Sequence, residues 1–287
     1  MNAMVSAGWP GAAGRAGGQG RAGRVGRAGR GRWEGGVLRA AIAVELRKAR
    51  SARVLWSTGI LVVVGVAVLA GSMIAAARSG NTEVTAKLGP TAGSGDWAAL
   101  LGVAAQVTAA GALLAFGVGI SWLTGREFAD RTITGLFGLP VSRGTVAAAK
   151  LVVYAVWATV VCAALAGVLP LVGLLVGIGL PSGDDLIGLA RQFALGLLTA
   201  SIAVPAGWAA SWGRGLLPGI ATAVGILVVA QVAAIAKFGA WFPFVAPAFW
   251  AQAPSAATTA ALLWVPLVPL VFGAATVWVW RRLQMDR

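Results

Sequence analysis

Histidine is missing from all 287 residues, which removes the commonest general base, the commonest metal ligand and every Ser-His or Cys-His pair. The single cysteine, Cys162, stands inside an apolar run, so there is neither a disulfide framework nor a cysteine-based metal cluster, and the redox compartment stays open. No Gly-x-x-x-x-Gly-Lys-Ser/Thr loop occurs, so any ATP used must be bound by another subunit. Charge is scarce as well: Asp, Glu, Lys and Arg make up 11% of the chain, against about a quarter in a soluble domain. These absences weigh against an enzyme and against a water-soluble domain.

What is present is apolar sequence in long runs. A helix of about 20 residues crosses a hydrocarbon core of roughly 30 Å, and six runs meet that length: Val54 to Ala77, Ala98 to Leu123, Leu151 to Leu180, Phe193 to Trp212, Leu216 to Ala236 and Thr258 to Trp280. The fold class expected is all-α integral membrane. The third run is long enough to be tilted or broken near Pro170, and the fourth carries Pro205; both are tolerable where neighbouring helices satisfy freed carbonyls. Gly173 and Gly177 make one small-xxx-small pair, a helix contact or simple tolerance of glycine. Within the spans Gln106 and Gln231 are the main polar side chains, and a proton or ion relay, which needs well-centred charges, is unsupported.

Outside the spans the chain divides in two. Residues 1–36 are mostly Gly, Ala and Arg with little apolar to bury, and read as a disordered leader rather than a signal peptide. Lipid headgroups, RNA or no partner at all are open as its role. Residues 37–53 place Leu38, Ile42, Ala43 and Leu46 at helical spacing, with Arg39, Glu45, Arg47, Lys48, Arg50 and Arg53 as a basic face. That is an amphipathic interfacial helix on an anionic membrane surface or a solvated basic flank. Residues 54–287 form the six-helix transmembrane domain.

The net charge of +14 follows topology. With both termini cytoplasmic, Lys and Arg number 19 on that side against four (Arg78, Lys87, Arg191 and Lys237) on the other, and 13 against four without the six leader arginines. The body of the protein thus obeys the positive-inside rule, and nucleic acid is not expected as a partner. Trp56, Trp97, Trp122, Trp212, Trp241, Trp264, Trp278 and Trp280 fall near span ends, where an indole anchors at the headgroup level.

Between the second and third spans, charges of both signs (Arg126, Glu127, Asp130, Arg131, Arg143) interleave with Phe128, Ile133, Leu136 and Phe137 up to Pro140. The pattern suits a surface helix docking on a partner, ended by the proline, and equally a plain connecting loop. The string Glu127-Phe128-x-x-Arg131-Thr132-Ile133-x-x-Leu136-x-x-Leu139-Pro140-Val141-Ser142-Arg143, with Lys150 after it, resembles the cytoplasmic loop of type-2 ABC exporter permeases. It departs by having Arg131 where a glycine often precedes the threonine. The resemblance covers roughly Val37 to Arg287. It implies a permease that works with a second permease, identical or related, and with two copies of a separate ATP-binding subunit, in the cell membrane. The coupling loop would then comprise Arg126, Glu127, Phe128, Arg131, Thr132, Pro140 and Arg143, with Glu127 and Arg143 as docking charges.

The segment Phe238 to Pro254 is too Pro-rich for one straight helix and too apolar for open water. A re-entrant or interfacial helix fits, with Trp241, Phe244 and Trp250 as outer-gate candidates by the same resemblance. Asp184 and Asp185, beside Pro181 and Gly183, read as an exposed outer turn. The competing readings are an ion-coupled secondary transporter, an assembly protein and an intramembrane lipid-processing enzyme. The first lacks buried ionisable groups and inverted-repeat symmetry, and the last lacks a polar catalytic cluster.

Overall fold

The computed structural model describes residues 36–83, 86, 95–138, 141–236 and 238–283; nearly all of the leader, Pro140, Lys87 and Lys237 lie outside them. Among the described residues there are helices and no strands, as a hydrocarbon solvent demands, because each backbone N–H and C=O must be paired within the chain.

Helix α1 covers 36–50. Ile42, Glu45, Leu46 and Ala49 face inward at i, i+3, i+4 and i+7, whereas Arg39, Arg47 and Arg50 are exposed, the striping of an amphipathic helix. A corner at Ser51 and Ala52 follows, pinned by Trp56, whose indole N–H donates to the Arg50 carbonyl at 2.8 Å. Helix α2, Arg53–Arg78, matches the expected first span within a residue at each end.

Helix α3, Trp97–Ala129, starts on an Asp96 cap that accepts from Ala99 N–H at 2.9 Å and contains a π-helical turn, Thr108–Ala112. It runs past the expected end at Leu123 by nearly two turns, so Arg126, Glu127 and Phe128 belong to the spanning helix. A 3-10 helix, Thr132–Gly138, then leads to α4, Arg143–Leu175, capped by Ser142, which accepts from Thr145 N–H at 3.1 Å. Pro170 does not break α4. The helix ends where Gly177 takes a positive φ of 81°, a conformation open to glycine.

Helix α5, Gly183–Trp212, begins ten residues before the expected Phe193. Asp184 and Asp185 are therefore the first turn of a spanning helix, closed by a capping box in which Ser182 N–H donates to Asp185 at 2.7 Å, a favourable place for acids beside the helix N-terminus. The helix steps at Ala203, ahead of Pro205. Nearby, Tyr154 donates its hydroxyl to Ala200 O at 2.8 Å, which ties α4 to α5 beside the step. Helix α6 is Leu216–Ile235, a short α7 is Ala246–Gln252, and α8 is Ala256–Arg281, with a 3-10 turn at Leu262–Trp264.

In their most apolar stretches α3 and α5 are 56% and 61% buried, against 17% for α6, so α3 and α5 form the centre and α6 lies at the periphery. Phe116, Ile120, Leu165 and Leu169 are fully buried there. Gly173 allows one close approach: a Cβ on it would lie 2.4 Å from the Trp97 ring, so this glycine is a helix contact. Trp97 and Trp280 are buried at 5% and 0% exposure, unlike Trp56, Trp212, Trp241 and Trp278. The first two are therefore core residues and not interfacial anchors.

Candidate functional site

At the end of the bundle that carries residues 126–143, four charged side chains meet inside the protein. Lys150, two turns into α4, is 1% exposed; its ammonium lies 2.5 Å from Glu127 Oε1 and 2.9 Å from Glu45 Oε2. Glu127 comes from the last turn of α3 and Glu45 from the middle of α1, at 4% and 3% exposure. Lys48, half-buried one turn after Glu45, closes the group at 2.5 Å from Glu45 Oε1 and 3.7 Å from Glu127 Oε1. Two carboxylates and two ammoniums cancel, which is the condition for charges to persist away from water. Glu127 Oε2 is buried and accepts no hydrogen bond, so that carboxylate depends on its cations.

Burial would raise the Glu45 carboxyl, but the Lys150 charge together with hydrogen bonds from Lys48 and Lys150 outweighs it and holds Glu45 below its ordinary value of 4.5. The aromatic floor of the cluster is Trp280 from α8. Lys150 Nζ lies 5.6 Å from its ring centroid, its indole N–H donates to Ser211 Oγ at 3.0 Å, and Phe128 packs edge-on at 5.7 Å. Five helices, α1, α3, α4, α5 and α8, are thus tied at one point.

The loop residues expected to act together separate into a root and a tip. Glu127 and Phe128 form the root, facing inward. Arg126 is half-buried, its guanidinium 4.5 Å over the Trp122 ring and 3.9 Å from Asp130. Arg143, also half-buried, donates to the Leu283 carbonyl, which ties α4 to the end of α8. Asp130, Arg131 and Thr132 are exposed and form the tip. Arg131 has φ = 55°, the left-handed conformation at a helix end where glycine is at ease.

Sequence reasoning put Glu45 and Lys48 on the solvated basic face, and the structure turns both inward. The signal was available, because Leu38, Ile42, Glu45, Leu46 and Ala49 follow the spacing i, i+4, i+7, i+8, i+11 of a single helical stripe. A glutamate on that stripe requires a buried cation, and Lys150 supplies it.

The opposite end is open. A cavity of about 360 Å³ is lined by Gln106, Gln231, Gln252, Thr199, Phe244 and Phe249 beneath α7. A second, of about 550 Å³, shares Gln106 and Gln252 and reaches Asp184, Asp185 and Arg191. Of the outer-gate candidates Phe244 lines the first cavity, whereas Trp241 is exposed and Trp250 half-buried outside its lining.

Residues 41–230 match a family model described as ABC-2 family transporter protein. The match runs from α1 into α6 and contains Glu45, Lys48, Glu127 and Lys150. No curated protein matches the chain. The family match covers more than half of the chain, and six of its helices are long and apolar enough to cross a membrane; the protein belongs to the ABC-2 transporter family and is a multi-pass transmembrane permease.

Proposed function

We propose that this permease is the membrane half of an ATP-driven exporter of hydrophobic or amphipathic molecules. Two copies of a separate ATP-binding subunit bind and hydrolyse the nucleotide, and this chain holds no cofactor of its own. A second permease, identical or related, completes the pathway. The end bearing residues 126–143 faces the cytoplasm of a cell membrane, together with both termini; the excess of Lys and Arg at that end supports this orientation.

The observation that carries the reading is the exposed tip standing on a buried root. Asp130, Arg131 and Thr132 offer both signs of charge and a hydroxyl to a partner. Glu127, three to five residues from them in sequence, is held by Lys150 and through it by Glu45. A push on the tip is therefore delivered to α1, α3 and α4 as one body rather than absorbed in a loose loop. At the other end the cavities combine apolar walls with amides, a lining that suits a substrate with a large apolar part and a few hydrogen-bonding groups.

The test is affinity purification of the detergent-solubilised chain from its native host, with an ATPase assay on the eluate. The expected result is a stoichiometric ATP-hydrolysing subunit that is lost when Asp130→Arg and Arg131→Asp are combined. A chain that purifies without any nucleotide-hydrolysing partner would contradict the proposal.

A further inference from the structure

On the outside of the bundle α1, α2 and α4 enclose an apolar groove of about 500 Å³ that the transport reading leaves unused. Its floor contains Leu55 and Gly59, and its walls contain Trp56 from α2 and Val160 from α4. Trp157 is fixed in place: its indole N–H donates to Leu55 O at 3.2 Å and its ring packs edge-on against Phe116 at 5.6 Å. The groove is thus preformed. It runs along α4 from Val153 to Ala164 and along α2 from Leu55 to Val64, roughly 16 Å and 14 Å at 1.5 Å per residue. That is about half of a ~30 Å hydrocarbon core, the depth of a single leaflet.

The groove has a chemically distinct mouth. Arg50 lines it where α1 turns into α2, and Arg47 and Arg53, also exposed, flank it within one turn of sequence on either side. Trp56 holds that corner through the Arg50 carbonyl. An apolar slot one leaflet deep with cations at its headgroup end has the chemistry of an anionic phospholipid, and basic pockets beside spanning helices are known to take such headgroups. A second copy of the chain fits less well. Two copies in one membrane are related by an axis along the membrane normal, which would set Arg50 and Arg53 of both at the same depth in one interface and bring like charges together.

We propose that this groove is a binding site for one anionic phospholipid, with an acyl chain along Gly59, Trp157 and Val160 and its phosphate at Arg50. The site stands apart from the charge cluster, yet both use α1: Glu45 contacts Lys150 in the cluster, while Leu46, Ala49 and Arg50 line the groove.

The full-length chain, purified in detergent and reconstituted in nanodiscs of equal phosphatidylglycerol and phosphatidylcholine, is re-extracted and its retained lipid measured by native mass spectrometry. The wild type should retain phosphatidylglycerol in preference to phosphatidylcholine. Arg50→Ala should cut that preference roughly fivefold, the effect expected of one interfacial cation, and Val160→Trp, which fills the groove from an exposed position, should abolish retention of both lipids. Equal retention of the two lipids by the wild type, or retention unchanged in both variants, would overturn the proposal. So would a shift of Val160→Trp from dimer to monomer with no loss of lipid, since the groove would then belong to a second copy.

Discussion

The two ends of this bundle are built on opposite principles. The loop end closes on itself around Lys150, with five helices converging on one neutral charge cluster and a buried tryptophan. The other end holds, among the described residues, two cavities, the prolines Pro181, Pro243, Pro247 and Pro254, and a short helix across its mouth. A packed interior is stiff and transmits strain between elements, whereas open and irregular backbone can rearrange. The difference teaches where the bundle is stiff and where it has room to rearrange, and the function proposed above uses the first end to drive the second.

The sharpest way to break this contrast is to remove Lys150. Lys150→Ala leaves Glu45 and Glu127 buried beside each other with only Lys48 to offset them, and a buried pair broken in this way costs about 3–5 kcal/mol. Thermal unfolding in detergent should show a large loss, and Lys150→Met combined with Glu127→Gln should recover most of it, because the second change removes the stranded charge. Equal losses in the single and double variants would mean that packing, not charge, holds the loop end.

The opposite end has a fixed point of its own where Gly173 meets Trp97. Gly173→Val forces atoms into the indole ring and should cost about 1–3 kcal/mol by the same assay, less than the loss of Lys150. A larger loss would invert the comparison.

Acidification sharpens it further. The Glu45 carboxyl titrates lower in the folded chain than in the unfolded one, so its contribution is fully present above its ordinary value of 4.5 and is lost as pH falls through the folded value. Melting temperature should drop on acidification below about 4.5, and Glu45→Gln should flatten that part of the profile. The smallest effect is expected at Arg131, whose left-handed backbone favours glycine. Arg131→Gly should be neutral or stabilising by at most about 1 kcal/mol, while unaltered Glu127–Lys150 geometry keeps the root in place.

Much of this was legible in the sequence. The six spans follow from the lengths of apolar runs, and α2 and α6 fall within a residue of their expected ends because charged or glycine residues bound them. The C-terminal end of α3 and the N-terminal ends of α4 and α5 were hidden for one reason: Glu127, Lys150 and Asp185 are polar, yet each lies inside a helix because a partner or a cap satisfies it. Hydropathy stops at such residues, and pairing does not. The tip-and-root division of residues 126–143 was hidden likewise, since Glu127 and Asp130 carry the same charge and only the fold shows that one faces Lys150 and the other solvent. The first cavity is lined by Ala109 and Ala110 of the π-turn and by Thr199 and Ile202 beside the step at Ala203; Pro205 signals the step, whereas no local pattern announces the π-turn.

Site-specific crosslinking compares the two ends most directly. Thr134→Cys, exposed in the 3-10 helix two residues beyond the tip, and Trp241→Cys at the opposite end can each be introduced alongside the buried native Cys162 and treated with a thiol crosslinker in intact membranes. The proposed function predicts an adduct with an ATP-hydrolysing subunit from position 134 and none from position 241. An adduct from position 241, or from neither, would contradict it.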